Sequence, residues 1–205
     1  MEEANPKTPA GVGARAVVAF HDACLAAPAW PEQSPATPPG PLWSFIATIH
    51  ATNTRLWREE DLARRRRVSD AEIAANKRAI DRFNQNRSDA IEKCDELWID
   101  ALQDAMAGAP RLSSETPGMM VDRLSILALK IRAMREQSMR EDVDESHRAA
   151  CRARLARLVE QREDLAGCLD ALIADCLAAR ARFKVFRQFK MYNDPTLNPS
   201  LYREG

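Results

Sequence analysis

The sequence predicts an all-α fold: an antiparallel bundle of four long helices, with a shorter N-terminal helix and an extended C-terminal tail. Among its 205 residues are only 7 glycines and 6% aromatics, while alanine, leucine, arginine and glutamate, which favour helices, are abundant. No segment shows the alternation of apolar and polar residues that marks a half-buried strand. Long helices joined by short connections usually pack as antiparallel neighbours.

Proline and polar residues divide the first third of the chain. Residues 1–12 are polar and predict a disordered N-terminus, followed by a helix over residues 14–27. The connector over residues 28–41 is rich in proline, which lacks a backbone donor and clashes with the preceding helical turn. We therefore expect the second helix to begin after it and to cover residues 42–67.

Helix start signals place the remaining elements. Ser69 and Glu72 form a capping-box pattern, which predicts a third helix over residues 70–107. Proline is favoured in the first turn of a helix, so Pro117 predicts the start of a fourth helix that ends near Arg140. A fifth helix is expected from Asp144 to Arg180.

These elements predict the domain organisation. Residues 13–191 are expected to form a single helical domain that includes the proline-rich connector. Residues 192–205 contain proline, asparagine and aspartate in close succession and predict an extended segment.

Composition limits the function classes. Lysine and arginine number 30, as do aspartate and glutamate, and the zero formal charge argues against a nucleic-acid-binding protein. We expect no membrane span and no secretory signal, since the necessary apolar segments are absent from the sequence. Five scattered cysteines without a CxxC pair indicate a reduced, cytoplasmic protein. Cys94, Cys151 and Cys176 are expected in the core.

Polar side chains interrupt the apolar stripes of three long helices when the sequence is projected onto helical wheels. Burying charge is unfavourable unless partners are present, so these interruptions predict a shared interior polar cluster. Its candidate ligand-binding residues are His50, Asn53, Glu60, Arg64, Asn84, Arg87, Asp95, Arg123, His147 and Arg162. A purely structural role is the alternative, because long cations can reach solvent and buried ion pairs can set helix register.

The cluster gives two more specific expectations. Glu60, Arg87 and Arg162 should be mostly buried, with at least two of them in one hydrogen-bonded network. The predicted inward cations outnumber the carboxylates and predict an anionic ligand such as phosphate or diphosphate, which guanidinium groups bind two oxygens at a time. These cations are Arg64, Lys77, Arg87 and Arg162, with Arg123 nearby.

Carboxylates at helical spacing support an alternative interpretation. Glu60 with Asp61, and Glu92 with Asp95, occur on successive helices and would hold Mg²⁺ against a diphosphate if they converged. This predicts a metal-dependent enzyme acting on a phosphorylated sugar or nucleotide. Under the leading interpretation no cofactor is expected.

Residues 179–192 interleave five cations with four aromatic side chains. Such a segment could bind a polyanion or stack on bases. The favoured interpretation is a strap whose aromatic side chains dock on the bundle while its cations face water.

Several stretches resemble the bacterial domain-of-unknown-function family numbered 4254. They are LWREEDLAR (56–64), IDRFNQNRSDAIEKCD (80–95), SETPGMMVDRLSILALK (114–130), EQREDL (160–165) and FKVFRQFKMYNDPTLNP (183–199). The resemblance covers about Leu42 to Tyr202. It implies a polar signature at Glu60, Asp61, Arg64, Asn84, Arg87, Asp89, Glu92, Glu115, Asp122, Arg123, Arg162, Asp164, Lys184 and Arg187. Ser88 departs from the family pattern, which has asparagine after Arg87.

The resemblance also implies a biological context, because genes of this family often neighbour those for glycosyl transfer in cell-envelope polysaccharide assembly. The leading functional prediction is a helical accessory or ligand-binding protein linked to cell-envelope glycan synthesis. Its expected partners are an anionic small molecule or a glycosyl-transfer protein.

Overall fold

The computed structural model describes residues 12–203, and helices make up 70% of it. The long elements are α1 (Ala14–Ala26), α2 (Pro41–Leu62), α3 (Asp70–Met106), α4 (Pro117–Ser138) and α5 (Glu145–Leu177). The short ones are β1 (Arg111–Leu112), β2 (Ala181–Arg182), a 3-10 turn (Met191–Asn193) and α6 (Pro199–Tyr202). The predicted disorder falls on residues that lie outside this description, except for Val12, which is buried in the core.

The predicted helix starts are confirmed by their caps. Ser69 accepts a hydrogen bond from the Glu72 amide at 3.3 Å, and the Glu72 carboxylate accepts one from the Ser69 amide at 3.0 Å, which completes the capping box. Pro117 lies in the first turn of α4. Asp144 caps α5 by accepting from the His147 amide at 2.7 Å. Each cap satisfies a backbone donor that has no partner inside the helix.

Two predicted helix ends are wrong. α2 ends at Leu62 instead of Arg67, because four consecutive arginines follow and Ser69 must be extended to cap α3. α5 ends at Leu177 instead of Arg180, since Ala179 takes a left-handed conformation with φ 55°.

After the left-handed Ala179, β2 pairs in parallel with β1, with Arg111 opposite Ala181 and Leu112 opposite Arg182. These four residues are the only strand residues between residues 12 and 203, so the prediction of an all-α fold is confirmed at the level of fold class. The pairing fixes the chain after α5 against the chain that leads into α4.

The most extensive helix contacts join α2 to α3 and α4 to α5, and α2 also packs on α4. α1 lies against α4 and α5. Trp98, Leu124 and Leu169 are fully buried between these helices. The predicted core cysteines, Cys94, Cys151 and Cys176, are buried as expected. None of the helices between residues 12 and 203 is long and apolar enough to cross a membrane.

The C-terminal strap, residues 183–190, lies along α3. Phe183 is buried, the Gln188 amide donates to the Glu92 carboxylate at 2.8 Å, and the Lys190 ammonium donates to the Asn84 carbonyl at 2.6 Å. The docking interpretation is confirmed for Phe183, which is buried against the bundle. It is wrong for Phe189 and Tyr192, which are 83% and 61% exposed. The tail beyond them is also not wholly extended, since it contains the 3-10 turn and α6.

Candidate functional site

A polar cavity of about 300 Å³ opens between α2, α3 and α4. Its apolar wall is formed mainly by Leu56, Trp57, Ile126 and Leu129. Five of the predicted ligand-binding residues line it, namely Asn53, Glu60, Arg64, Asn84 and Arg87, together with Asp61 of the predicted metal set. The helical projection therefore identified residues of α2 and α3 that line a real depression. This depression is open to solvent, whereas the predicted cluster was in the interior.

A directed chain of hydrogen bonds runs from the cavity into the core. The Arg87 guanidinium donates to the Asn53 side-chain oxygen at 3.4 Å, and the Asn53 amide nitrogen donates to the Ser125 hydroxyl at 3.1 Å. His50 Nδ1 accepts from that hydroxyl at 2.8 Å, and His50 Nε2 donates to the His21 carbonyl at 3.2 Å. Because the His21 carbonyl can only accept, His50 Nε2 carries a proton, and in the neutral ring Nδ1 then accepts from the Ser125 hydroxyl.

The inner end of this chain is an aromatic stack. The His50 ring lies 4.4 Å from the His21 ring and 5.2 Å from the Trp30 ring, centroid to centroid. Burial lowers the pKa of His50 from 6.5 to about 4, with the bond to the His21 carbonyl acting in the opposite direction. Burial, His50 and Arg162 hold the pKa of His21 well below its usual range. Neither ring nitrogen of His21 has a hydrogen-bond partner among the described residues.

The shifted pKa of His50 predicts a pH-dependent stability. Its stabilising contribution is fully present above the unfolded pKa of 6.5 and is lost as the pH falls towards the folded pKa of about 4. The unfolding free energy of the parent should fall between pH 7 and pH 5 because of His50. In His50→Gln this fall should be smaller by about 2 kcal/mol. Urea unfolding at the two pH values measures this difference, and identical pH dependence in both proteins would contradict it.

The same window contains an opposite contribution from Asp95. Burial raises the pKa of Asp95 from 3.8 to about 6, so protonation of this carboxyl stabilises the fold as the pH falls from 6 to 3.8. Asp95 is present in both the parent and the His50 variant. The comparison between the two proteins therefore isolates the histidine.

Arg87 is the central cation of the cavity. Its side chain is 28% exposed, and its Nε lies 3.9 Å from Asp122, whose side chain is 14% exposed. Burial raises the pKa of Asp122, while Arg87 and a 2.8 Å hydrogen bond from Asn53 lower it. Both contacts of Arg87 are long for hydrogen bonds, so most of its five N–H donors remain available to a ligand.

The outer edge of the cavity is solvated. Arg64 pairs with Glu60 one helical turn earlier, and their side chains are 69% and 45% exposed. The expectation that Glu60 is mostly buried is therefore wrong. No hydrogen bond among residues 12–203 links Glu60, Arg87 and Arg162 in one network, because each has a different partner. The expected shared network is also wrong.

The C-terminal strap brings a further cation to this region. Burial is the main cause that lowers the pKa of Lys190, and the charge of Arg87 lowers it further. Asp89, Asp81 and Glu92 act in the opposite direction. Lys190 binds the Asn84 carbonyl, one helical turn before Arg87, so the two positive charges lie near each other where the strap meets α3.

Asp95 lies outside the cavity and joins α3 to the start of α4. Its carboxylate accepts from the Thr116 hydroxyl at 2.5 Å and from the Gly118 amide at 2.7 Å. These bonds satisfy groups at a buried helix N-terminus, so the role of Asp95 is structural.

Three other predicted ligand-binding residues also lie elsewhere. Arg123 is exposed and pairs with Glu115. Arg162 pairs at 2.7 Å with Asp22 of α1. His147 is exposed at the first turn of α5, with its Nε2 3.4 Å from the Cys151 sulfur. These placements are corrections to the predicted cluster.

The four carboxylates of the metal interpretation do not converge. Glu60 pairs with Arg64, Glu92 pairs with Arg187 at 2.9 Å, and Asp95 binds the start of α4. Within the described part of the chain, no three metal-ligating side chains come together as a candidate metal site.

Most of the cations counted as inward are neutralised by carboxylates. Arg64 pairs with Glu60, Arg123 with Glu115 and Arg162 with Asp22. Lys77 is 66% exposed and pairs with Asp81. The predicted excess of inward cations is therefore wrong, and the case for an anion depends on Arg87.

A family model described as protein of unknown function (DUF4254) matches residues 43–185, well over half of the chain. The chain belongs to the DUF4254 family. No curated protein and no solved structure matches it. Every residue that lines the polar cavity lies inside the family match, whereas α1 and Lys190 lie outside it. The cavity is thus built entirely from the stretch that defines membership of DUF4254.

The helical projection of the sequence missed three residues of the polar cavity and its hydrogen-bond chain, namely Asp122, Ser125 and His21. Asp122 belongs to the polar signature implied by the family resemblance, but the helical projection placed Arg123 at the inner edge of α4 instead. Ser125 and His21 were not selected, although both are fully buried. Ser125 lies three residues after Asp122, and that helical spacing was an available signal.

Proposed function

We propose that this DUF4254 protein is a ligand-binding protein whose polar cavity takes a small phosphorylated molecule, of the sugar-phosphate class. The observation that carries the proposal is the position of Arg87, which is held from below by Asn53 and Asp122 and faces the cavity with unused donors. A guanidinium held in this way matches the oxygens of a phosphate.

The remaining lining groups suit the rest of such a ligand. Asn53 and Asn84 offer amides, Glu60 and Asp61 offer carboxylates, and Trp57 offers an apolar ring face. Hydroxyl groups of a sugar bond to amides and carboxylates, while its carbon skeleton packs on an aromatic ring. A mainly apolar wall with a few placed polar groups is typical of small-molecule sites.

The wider role belongs to the same proposal. The family resemblance supports an accessory role next to glycosyl-transfer proteins of bacterial cell-envelope polysaccharide assembly, on the cytoplasmic side. We also propose an antiparallel arrangement of the four long helices. Its support is that Asn76 bonds Glu59 near the α2–α3 turn while Arg87 bonds Asn53 farther from it.

Thermal unfolding with added anions tests the ligand proposal. We expect inorganic phosphate, diphosphate, a hexose phosphate and a nucleotide sugar to differ at matched ionic strength, with the hexose phosphate most stabilising. A ligand present at a hundred times its dissociation constant should add about 2.7 kcal/mol to the unfolding free energy.

Arg87→Gln is the decisive variant, and Arg82→Gln on the same helix is its matched control. Loss of a charge-assisted bond to phosphate should weaken binding by about tenfold to a hundredfold. The Arg87 contacts of 3.4 and 3.9 Å are long, so the free variant should remain folded. Equal responses of both variants to every anion would overturn the proposal.

A further inference from the structure

A second depression lies on the other side of Trp57 and differs in chemistry from the polar cavity. It is an apolar groove of about 470 Å³ between the C-terminal halves of α2 and α4 and the first half of α5. Its floor is formed by Trp57, Ala133, Met134 and Leu158, each of which is only partly buried. Side chains that are apolar and still accessible in this part of the fold leave room for an apolar ligand.

The charged residues that line the apolar groove are all cations. Lys130 of α4 and Arg154 and Arg157 of α5 line it, together with two glutamines, and no carboxylate is part of its lining. None of these three cations takes part in an ion pair among residues 12–203. The polar cavity, in contrast, places two arginines beside two carboxylates.

We infer that the apolar groove binds a free anionic amphiphile, a single hydrocarbon chain that ends in a phosphate or carboxylate. The chain lies along Trp57, Met134 and Leu158, and the head group pairs with Lys130, Arg154 and Arg157. Charge complementarity selects this occupant, because an apolar floor with only cations at its rim matches an apolar chain with an anionic end. This site is separate from the one in the proposed function.

Isothermal titration calorimetry below the micelle concentration tests the inference. Decyl phosphate and decanoate should both bind, decanol should bind at least tenfold more weakly, and decyltrimethylammonium should not bind. From octyl to decyl phosphate the affinity should rise by about tenfold, because two more methylene groups are buried. Equal binding of the cationic and anionic amphiphiles would overturn the inference, since it would show unselective apolar adsorption.

Two matched substitutions locate the site. Met134→Glu places a carboxylate on the floor of the apolar groove and should weaken decyl phosphate binding by more than tenfold. Met139→Glu, at an exposed position just after α4, should leave the affinity unchanged. Arg157 is exposed, so Arg157→Gln should not affect folding. We expect this variant to weaken the binding of decyl phosphate more than the binding of decanol. Parent-like binding by Met134→Glu and Arg157→Gln would overturn the inference.

Other occupants give distinct results. Binding of an acidic amphipathic peptide with no binding of decyl phosphate would make this groove a protein-docking site and would overturn the inference. The protein could also sediment with anionic vesicles, and decyl phosphate could fail to prevent this. That result would assign the cations to binding of a membrane surface and would overturn the inference. Arg87→Gln should leave decanoate affinity unchanged, because decanoate carries no phosphate for the polar cavity, and this separates the two tests.

Discussion

Gly118→Ala should lower the unfolding free energy by about 3 kcal/mol, at the upper end of the overpacking range. A Cβ atom at Gly118 would lie 2.7 Å from an Asp95 carboxylate oxygen and 2.8 Å from the Ile91 carbonyl oxygen. Neither oxygen can move aside, because one belongs to the α3 backbone and the other belongs to a carboxylate whose two oxygens each accept a hydrogen bond. The start of α4 would have to shift away from α3.

Gly167→Ala is the matched control. Gly167 lies within α5, and a Cβ atom there meets nothing within 4 Å. Alanine restricts the unfolded chain more than glycine does, so the unfolding free energy of this variant should rise by about 0.5–1 kcal/mol. Urea unfolding of both variants measures the contrast, and a Gly118→Ala protein as stable as Gly167→Ala would show that α3 and α4 do not approach so closely.

Asp95→Ala should destabilise the protein by about 3 kcal/mol at pH 7, because it leaves two buried donors unsatisfied. The donors are the Thr116 hydroxyl and the Gly118 amide. Asp100→Ala, on an exposed position of the same helix, should stay within about 0.5 kcal/mol of the parent. Chemical denaturation gives both values, and a small effect at Asp95 would contradict a structural role.

The two substitutions should also be coupled. Removing the Asp95 carboxylate removes one of the atoms that a Cβ at Gly118 would strike. The double variant Gly118→Ala/Asp95→Ala should therefore lose less unfolding free energy than the sum of the single variants. An additive result would mean that the two residues do not share one contact.

Helix starts could be predicted well from the sequence because their signals are local. The Ser69–Glu72 capping box and Pro117 act within one turn, so no tertiary information is needed to find them. The helix ends were less predictable. The left-handed Ala179 has no glycine signal, and its conformation accompanies the pairing of β2 with β1.

The site was only partly predictable, because a helical projection shows which residues share a face of one helix but not which helix packs against that face. Arg162 does lie on a packed face of α5, but that face meets Asp22 of α1 and not Arg87. His147 was assigned to an inward face, yet Cys151 is the only buried residue of α5 before Leu165. The first turns of α5 therefore lack the covering helices that the projection assumed.

The phase of α4 shows a further limit. Apolar residues surround much of this helix, so their spacing did not decide whether Asp122 or Arg123 points inward. The structure places Asp122 beside Arg87 and leaves Arg123 exposed. The polar signature of the family resemblance contained both residues and could not choose between them.

Native mass spectrometry tests the central claim most directly, namely that the polar cavity binds a phosphorylated ligand through Arg87. The parent, Arg87→Gln and Arg82→Gln proteins would be purified under non-denaturing conditions and measured with the same hexose phosphate. We predict one bound molecule on the parent and on Arg82→Gln, and loss of most of that adduct on Arg87→Gln. An adduct of equal intensity on all three proteins, or on none of them, would contradict the claim.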